Sequence, residues 1–274
     1  MAHPFAGIAL HTWTLDTTPF ADVLAIAKEA GFDAIEIRRV DFTRSFEADM
    51  RNEQVLDLIR ASGPKVAAVG VEYGWMFAQG SERERLFGVF RECCENAVAL
   101  DCKMMMSAIG PGDASTDGAV EATRIAGDLA EEYGLRLAIE FQYLHPVVDT
   151  LDALREIIAR ARRPAAGVLL DAYHLQRAGI STSAFDDVRP EEIFYFQYSD
   201  VPDAPIPSFP PVDRLSPGQG VIDWPAMLRA LAGAGYRGYL SCEAPNPAQW
   251  LRPPQDVASE NARAMRKALD AAFV

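Results

Sequence analysis

Short apolar segments recur eight times along this chain, and longer segments with helical periodicity separate most of them. The apolar segments have the length and composition of strands that are buried on both faces, as in parallel sheets. They occupy residues 7–11, 33–38, 65–72, 103–107, 135–141, 167–171, 192–198 and 239–243. The predicted helices occupy residues 20–30, 52–61, 82–100, 117–133, 150–162, 223–235 and 254–273. This alternation predicts an α/β fold, a single (β/α)8 TIM barrel.

One domain is predicted to span residues 1–274, because no break in composition interrupts the alternation and the length is typical of such a barrel. A doubly wound sheet is the main alternative, but it would usually contain fewer strand–helix units. Neither GxGxxG nor GxxxxGK[ST] follows the first strand, so nucleotide-binding folds lose their main support.

Composition restricts the partners and the compartment. A net charge of −13 argues against nucleic acid, and no apolar run approaches the roughly 20 residues of a membrane span. The N-terminus lacks the basic and apolar regions of a secretory signal. The four cysteines show no zinc-type spacing and are expected to be reduced core thiols: Cys93, Cys94, Cys102 and Cys242. We therefore expect a cytoplasmic enzyme that acts on a small molecule; whether it forms a homo-oligomer stays open.

The segment GVLLDAYHL, residues 167–175, is the most informative stretch for function. It joins a wholly apolar strand to Asp171, and a carboxylate at the end of a buried strand needs a cation or hydrogen-bond donors. His174 follows three residues later, where a turn would bring it back over the strand end. The simpler interpretation is that Asp171 caps the next helix with His174 packed beside it.

The same pattern recurs at other strand ends, where the active site of a (β/α)8 barrel lies. Glu140, Asp171, Gln197 and Glu243 fall at or near the ends of the last four strands, and strand alternation supports their pointing inward together. Three converging carboxylates would repel one another unless a cation joined them. Carboxylate and amide oxygens favour hard ions. The sequence thus predicts a site for one divalent metal ion, Mn²⁺ or Mg²⁺.

These residues resemble the xylose-isomerase-like TIM barrels, a family of sugar isomerases and epimerases, inosose dehydratases, 3-dehydroshikimate dehydratases and endonuclease IV. The resemblance covers nearly the whole chain and is carried by AIE (138–140), GVLLDAYH (167–174), FQYSD (196–200), DRLSPGQG (213–220) and YLSCE (239–243). It implies the same metal ligands, although Gln197 stands where most members have histidine. Glutamine there is similar to the bacterial 3-dehydroshikimate dehydratases. The resemblance also implies that Glu140 and Glu243 serve as acid and base.

The chemistry expected at such a site begins with removal of a proton beside a carbonyl, giving a metal-stabilised enediolate. Returning the proton gives isomerisation or epimerisation, whereas expelling a β-hydroxyl gives dehydration, and the ligands do not distinguish these outcomes. We expect first an isomerase or epimerase acting on a small polyhydroxylated ketone or aldehyde, a sugar or a cyclitol. A dehydratase is the alternative. A non-catalytic sugar-binding or accessory barrel is the alternative of another class.

Further residues are candidates for acid–base chemistry or substrate contact. His174 resembles the family's substrate-contacting DxxH histidine and is a catalytic candidate, and His145 follows the fifth strand. Arg214 resembles a family arginine that reaches the substrate. Glu72, Trp13 and Trp75 are expected to bind substrate hydroxyls or to form an apolar wall, although ion pairing or core packing is as good an interpretation for each.

Two enzymatic alternatives find little support. A Schiff-base aldolase needs a lysine at the C-terminal end of a strand, but Lys65 and Lys103 begin their strands. An endonuclease IV-like enzyme needs a histidine-rich cluster of three metals, and the chain has four histidines in all.

Overall fold

The computed structural model describes residues 3–112, 115–205 and 210–273. Parts of two predicted loops, residues 113–114 and 206–209, lie outside the described residues. The eight strands form a closed parallel barrel in sequence order, which confirms the predicted fold. They are β1 (Gly7–His11), β2 (Ala34–Ile37), β3 (Lys65–Gly70), β4 (Met104–Ala108), β5 (Arg136–Glu140), β6 (Ala166–Asp171), β7 (Ile193–Tyr198) and β8 (Tyr239–Cys242).

Helices surround the barrel and connect consecutive strands. They are α1 (Phe20–Glu29), α2 (Arg39–Glu47), α3 (Asn52–Ser62), α4 (Gly80–Ala99), α5 (Thr116–Glu132), α6 (Leu151–Ala161), α7 (Ala172–Arg177), α8 (Trp224–Gly233), α9 (Pro247–Trp250) and α10 (Pro254–Phe273). Short 3-10 helices occupy Thr12–Leu15, Ser181–Phe185 and Pro190–Glu192. Among the described residues, none of these helices is both long enough and apolar enough to cross a membrane.

Three of these helices were not predicted: α2, α7 and the short α9. Helix α2 begins directly after β2, and its first turn is fixed by Asp41, whose carboxylate accepts a hydrogen bond from the backbone N–H of Arg38 at 2.8 Å. The buried ring of Phe42 then packs into the core. Helix α7 is capped by Asp171, which accepts from the backbone N–H of Tyr173 at 2.9 Å. Asp171 therefore does cap this helix, as the simpler interpretation of the sequence expected.

Two separate apolar layers form the core. The larger one lies between barrel and helices, and a smaller cluster of mostly small side chains fills the barrel interior. The interior cluster includes Ala9, Ala34, Ala138 and Leu169. Because side chains alternate along a strand, the residues two positions further on point into the barrel as well. Those residues are polar and lie at the C-terminal end of the barrel.

Candidate active site

Six polar side chains meet at the C-terminal end of the barrel, contributed by five of its strands and by the residue that follows β8. Each lies two residues after an inward-facing residue of its strand, and all are almost completely buried: His11, Glu36, Glu140, Asp171, Gln197 and Glu243. So many buried polar groups in one place require mutual hydrogen bonds, counter-charges or a bound ion.

Two of these side chains, together with the buried His174 of α7, form a group that could hold a metal ion. One ligand atom each from Glu140, Asp171 and His174 lies within 4.8 Å of the others. Nε2 of His174 is 3.8 Å from Oε1 of Glu140 and 4.0 Å from Oδ2 of Asp171. Oε1 of Glu140 is buried and has no hydrogen-bond partner among the described residues. The spacing and the uncompensated oxygen both fit a divalent cation.

Arg214 supplies a positive charge to the same carboxylates. Its guanidinium is 2 % exposed, and Nη1 donates to Oδ2 of Asp171 at 2.5 Å and to Oε2 of Glu243 at 2.9 Å. Nη2 lies 3.3 Å from Nε2 of His174. The residue comes from the loop after β7, so the structure places it at the centre of the site.

Burial shifts the protonation of the acidic groups. Desolvation raises the pKa of Glu243 to about 7, although the nearby Arg214 opposes the shift. Desolvation, reinforced by the charges of Glu243 and Asp171, raises the pKa of Glu140 well above its ordinary value. Desolvation lowers the pKa of His174 to about 3, so its imidazole is neutral at pH 7. With a pKa of about 7, Glu243 is suited to exchanging a proton with a substrate at neutral pH, and the raised pKa of Glu140 favours the same role.

Gln197 is buried beside this group and is oriented by a carboxylate. Its Nε2 donates to Oε1 of Glu36 at 2.9 Å, and within the part of the chain that the structure describes its own Oε1 has no hydrogen-bond partner. Burial raises the pKa of Glu36 to about 8. Nε2 of His11 lies 3.7 Å from Glu36 and 3.4 Å from Glu243. The amide oxygen of Gln197 is thus available as a metal ligand, and it is the type of ligand atom that the sequence predicted for this residue.

A cavity of about 510 Å³ opens beside the barrel end. Trp13, Glu72 and Tyr73 line it, together with three arginines. Desolvation, reinforced by the negative charges of Glu243 and Glu140, raises the pKa of Tyr73, a residue that is 38 % exposed. Trp13 and Glu72 line this cavity, and their contact with a substrate stays a prediction; Glu72 is also paired with Arg85.

Trp75 and His145 have structural contacts instead. Trp75 is 0 % exposed, its Nε1 donates to Oγ of Ser107 at 2.8 Å, and its ring packs edge-on against Phe90. The expectation that Trp75 lines the substrate site is corrected, since it belongs to the core. His145 stacks on Phe77 at 5.0 Å, and its Nδ1 accepts from the backbone N–H groups of residues 147 and 148. It orders the loop after β5, and no substrate role follows from these contacts.

Two aromatic neighbours of His174 were missed in the sequence. The Tyr143 ring lies 5.5 Å from the imidazole and the Tyr173 ring 5.7 Å from it, centroid to centroid. Tyr173 also lies against Arg214, whose Cζ is 4.5 Å from the ring centroid. The available signal was position, because Tyr173 directly precedes His174 and Tyr143 follows β5 by three residues.

The fold and this site define a (β/α)8 barrel that carries a buried acidic group, able to hold a metal ion, at the C-terminal ends of its strands. The chain belongs to the xylose isomerase-like TIM barrel family, whose model matches residues 24–268. This finding confirms the resemblance inferred from the motifs.

Relatives of known activity are isomerases and a dehydratase. Inosose isomerase of Bacillus velezensis is 25% identical over 239 residues, covering 84% of this chain and 85% of that protein. The 3-dehydroshikimate dehydratase of Pseudomonas putida is 28% identical over 187 residues, covering 66% of this chain but only 28% of that protein.

Solved structures share the fold. The crystal structure of the IolI protein with a bound zinc atom has a TM-score of 0.87 and 22% identity, covering 97% of this chain and 99% of that chain. The 3-keto-D-glucoside 4-epimerase YcjR of E. coli has a TM-score of 0.76 and 18% identity, covering 95% and 98%.

Proposed function

We propose that this protein is a divalent-metal-dependent isomerase or epimerase of a small polyhydroxylated ketone or aldehyde, a sugar or a cyclitol. The observation that carries the proposal is the pair Glu140 and Glu243, two buried carboxyl groups with raised pKa values. They lie at a cluster of possible metal ligands that could hold a cation. Relatives that include an inosose isomerase and a solved epimerase with the same fold support the class of activity.

The proposed ligands of the ion are Glu140, Asp171, Gln197 and Glu243, and Mn²⁺ or Mg²⁺ is the proposed metal because this set is rich in oxygen. When bound, a divalent ion polarises the substrate carbonyl and makes the neighbouring C–H bond more acidic. His174 is neutral and adjacent to Glu140 and Asp171, so it would bind a substrate hydroxyl or complete the metal site.

The chain's own residues would then move the proton. Either Glu140 or Glu243 removes the proton from the carbon beside the carbonyl, leaving its electron pair in an enediolate. For epimerisation, the other carboxyl group returns a proton to the opposite face of the same carbon. For isomerisation, a proton is returned to the former carbonyl carbon, and the proton of the neighbouring hydroxyl moves to the former carbonyl oxygen, so that the carbonyl changes place. Arg214 would compensate the negative charge of the carboxylates, since its Nη1 donates hydrogen bonds to both Asp171 and Glu243.

The charges around the cavity favour an uncharged substrate. Three arginines line it, and each is already paired: Arg38 with Asp16 and Asp41, Arg39 with Glu92, and Arg44 with Asp16. Because each of these guanidinium groups is paired, a carboxylate on the substrate would have to compete with Asp16, Asp41 or Glu92 for its positive charge. A neutral polyol ring against Trp13 and Tyr73 fits better.

A dehydratase is the second candidate, favoured by Gln197 and by the Pseudomonas putida relative. The two are separated by incubating the metal-loaded protein with inososes, ketoses and 3-dehydroshikimate and identifying the products by NMR. An isomerised or epimerised polyol supports the proposal. Conversion of 3-dehydroshikimate alone to a dehydrated aromatic product would replace it with the dehydratase.

We also propose a cytoplasmic location, supported by four buried, unpaired cysteine thiols.

A further inference from the structure

Arg214 enters the site from a loop, and the chain on its C-terminal side is tied to the end of β7. Leu215 and Asp200 form an isolated antiparallel bridge. The Asp200 backbone N–H donates to the Leu215 carbonyl oxygen at 2.7 Å, and the Leu215 N–H donates to the Asp200 carbonyl oxygen at 3.0 Å. The residue next to Arg214 is therefore paired with a residue that lies two positions after the end of β7.

The carboxylate of Asp200 gathers four donors from the same loop and the helix that follows it. Its Oδ1 accepts from the backbone N–H groups of Val201 at 2.9 Å and Ile222 at 3.0 Å. Its Oδ2 accepts from the N–H of Gly218 at 2.7 Å and from Nε1 of Trp224 at 3.0 Å. Asp200 is 0 % exposed, so these bonds are shielded from water. Because it accepts all four of these hydrogen bonds, the carboxylate of Asp200 anchors the loop and the start of the following helix.

The loop is pressed closely against this anchor at Gly220. A Cβ at Gly220 would lie 2.1 Å from the carbonyl oxygen of Val201 and 2.6 Å from Oδ1 of Asp200. Only glycine allows this approach. The sequence PGQG between Leu215 and Val221 thus has a specific role beyond forming a turn.

The N-terminal side of Arg214 has a second attachment. Asp213 accepts from the hydroxyl of Tyr173 at 2.6 Å and from Nη2 of Arg177 at 2.8 Å. Nδ2 of Asn246 donates to the carbonyl oxygen of Arg214 at 3.0 Å. The arginine backbone is therefore fixed on both sides, and Asp200 is the buried anchor of the longer side.

We propose that Asp200 is a positioning residue whose carboxylate, by holding the segment 215–222, seats the Arg214 guanidinium between Asp171 and Glu243. The kinetic part rests on the proposed function, because it requires Arg214 to act in turnover. The structural part, that Asp200 orders this segment, does not. If Asp200 acts through Arg214, replacing Asp200 should not lower kcat/KM further once Arg214 has been removed. A general loss of stability would lower kcat/KM whether or not Arg214 is present.

The test is a double-mutant cycle with Asp200→Asn and Arg214→Ala, measured as kcat/KM of the metal-loaded protein. Asparagine has the same shape but turns an N–H₂ group toward two donors, so the segment loses its attachment. We expect kcat/KM to fall by about 10- to 100-fold in Asp200→Asn, as displacement of a site residue typically does. The same change should cause no further loss in the Arg214→Ala background. Equal losses in both backgrounds would overturn the proposal.

Hydrogen exchange tests the structural part without any substrate. The backbone N–H groups of residues 218 and 222 should exchange at least about tenfold faster in Asp200→Asn than in the native protein, as expected when a buried charged hydrogen bond is lost. Asp223→Asn is the matched control, because Asp223 is an exposed helix cap and asparagine caps equally well. Unchanged exchange in Asp200→Asn overturns the proposal even if the native protein shows no turnover.

Should Asp200→Asn not fold, Trp224→Phe removes one of the four donors and keeps the aromatic ring. It should produce a smaller change of the same kind, faster exchange at residue 218 and a loss of kcat/KM that vanishes with Arg214→Ala. A loss that persists in that background would contradict the proposal.

Discussion

Glu243 is the side chain in which the structural and chemical observations meet. It follows β8, accepts from Arg214 at 2.9 Å, and burial raises its pKa to about 7. A carboxyl group of this kind can be charged when it takes a proton and neutral when it gives one back at neutral pH. An exposed glutamate, with a pKa near 4.3, would seldom hold the proton.

Replacing the acid with its amide isolates this role. Glu243→Gln keeps the shape but removes the titrating group, so we expect kcat to fall by at least about 10²- to 10⁴-fold. Circular dichroism and thermal unfolding would show whether the fold is retained. Glu53→Gln, an exposed position in α3, is the matched control and should leave kcat unchanged. A near-native kcat for Glu243→Gln would rule out its proton-transfer role.

As a proposed ligand of the ion, Gln197 would determine how soft the metal site is. Replacing its amide oxygen with an imidazole in Gln197→His should keep metal binding but shift preference from Mn²⁺ or Mg²⁺ toward Zn²⁺ or Co²⁺. Competition titrations with the native protein as reference measure this shift directly. If selectivity does not change, Gln197 is not a ligand and its amide serves only to bond Glu36.

Among the elements, neighbouring strands β6 and β7 carry Asp171 and Gln197 in register with each other. Their close approach depends on Gly167, where a Cβ would lie 2.3 Å from Cδ1 of Phe194. The Phe194 ring has little freedom to withdraw, because the Arg136 guanidinium stacks 3.6 Å from its centroid. The glycine therefore sets the spacing of the strands below the site.

Adding one methyl group here should destabilise the barrel. Gly167→Ala is expected to lower the free energy of unfolding by about 1–3 kcal/mol, the usual effect of overpacking. Gly88→Ala is the control, because its helical position has nothing within 4 Å and alanine should stabilise α4 by about 0.5–1 kcal/mol. Urea unfolding measures both. Equal stability of the two variants would show that the strands separate easily.

Regular elements were largely predictable because their signals are local. Helix α10 has the bounds predicted for it, and the placement of Glu140, Asp171, Gln197 and Glu243 at the barrel end follows from the strand ends and the alternation of side chains, while their roles stay predictions. Helix α2 was missed because its formation depends on distant contacts, such as the bond from Oγ1 of Thr12 to Asp41 at 2.5 Å. Likewise, nothing local reveals that Trp75 bonds Ser107 in the core, or that Asp200 anchors the loop of Arg214.

For the molecule as a whole, the buried acids make stability depend on pH. The pKa values of Glu36, Glu140 and Glu243 are raised in the folded protein, so the folded state binds more protons than the unfolded state between about pH 4.5 and pH 7–8. His11 and His174 have lowered pKa values and act oppositely, but only below about pH 6.5. Above that pH the acids dominate, and stability must fall.

We therefore expect the metal-free protein to lose stability as pH rises from about 6.5 to 8. Added Mg²⁺ or Mn²⁺ should oppose this loss and raise Tm more at pH 8 than at pH 6.5, because the ion binds the deprotonated acids. Thermal unfolding across this range, with and without metal, measures both effects. Glu243→Gln should flatten the slope, whereas Glu53→Gln should not. A metal-free protein whose Tm rises over this range would contradict the protonation assigned to the site.

Exchange of a substrate proton with solvent is the most direct measurement of the proposed chemistry. The protein would be incubated in D₂O with Mg²⁺ and a panel of inososes, ketoses and 3-dehydroshikimate, and deuterium beside the carbonyl would be followed by NMR. We predict metal-dependent deuteration of a neutral polyol, lost on chelation and in Glu243→Gln. Tight metal binding with no exchange in any compound would contradict proton abstraction at this site and favour a non-catalytic, sugar-binding barrel.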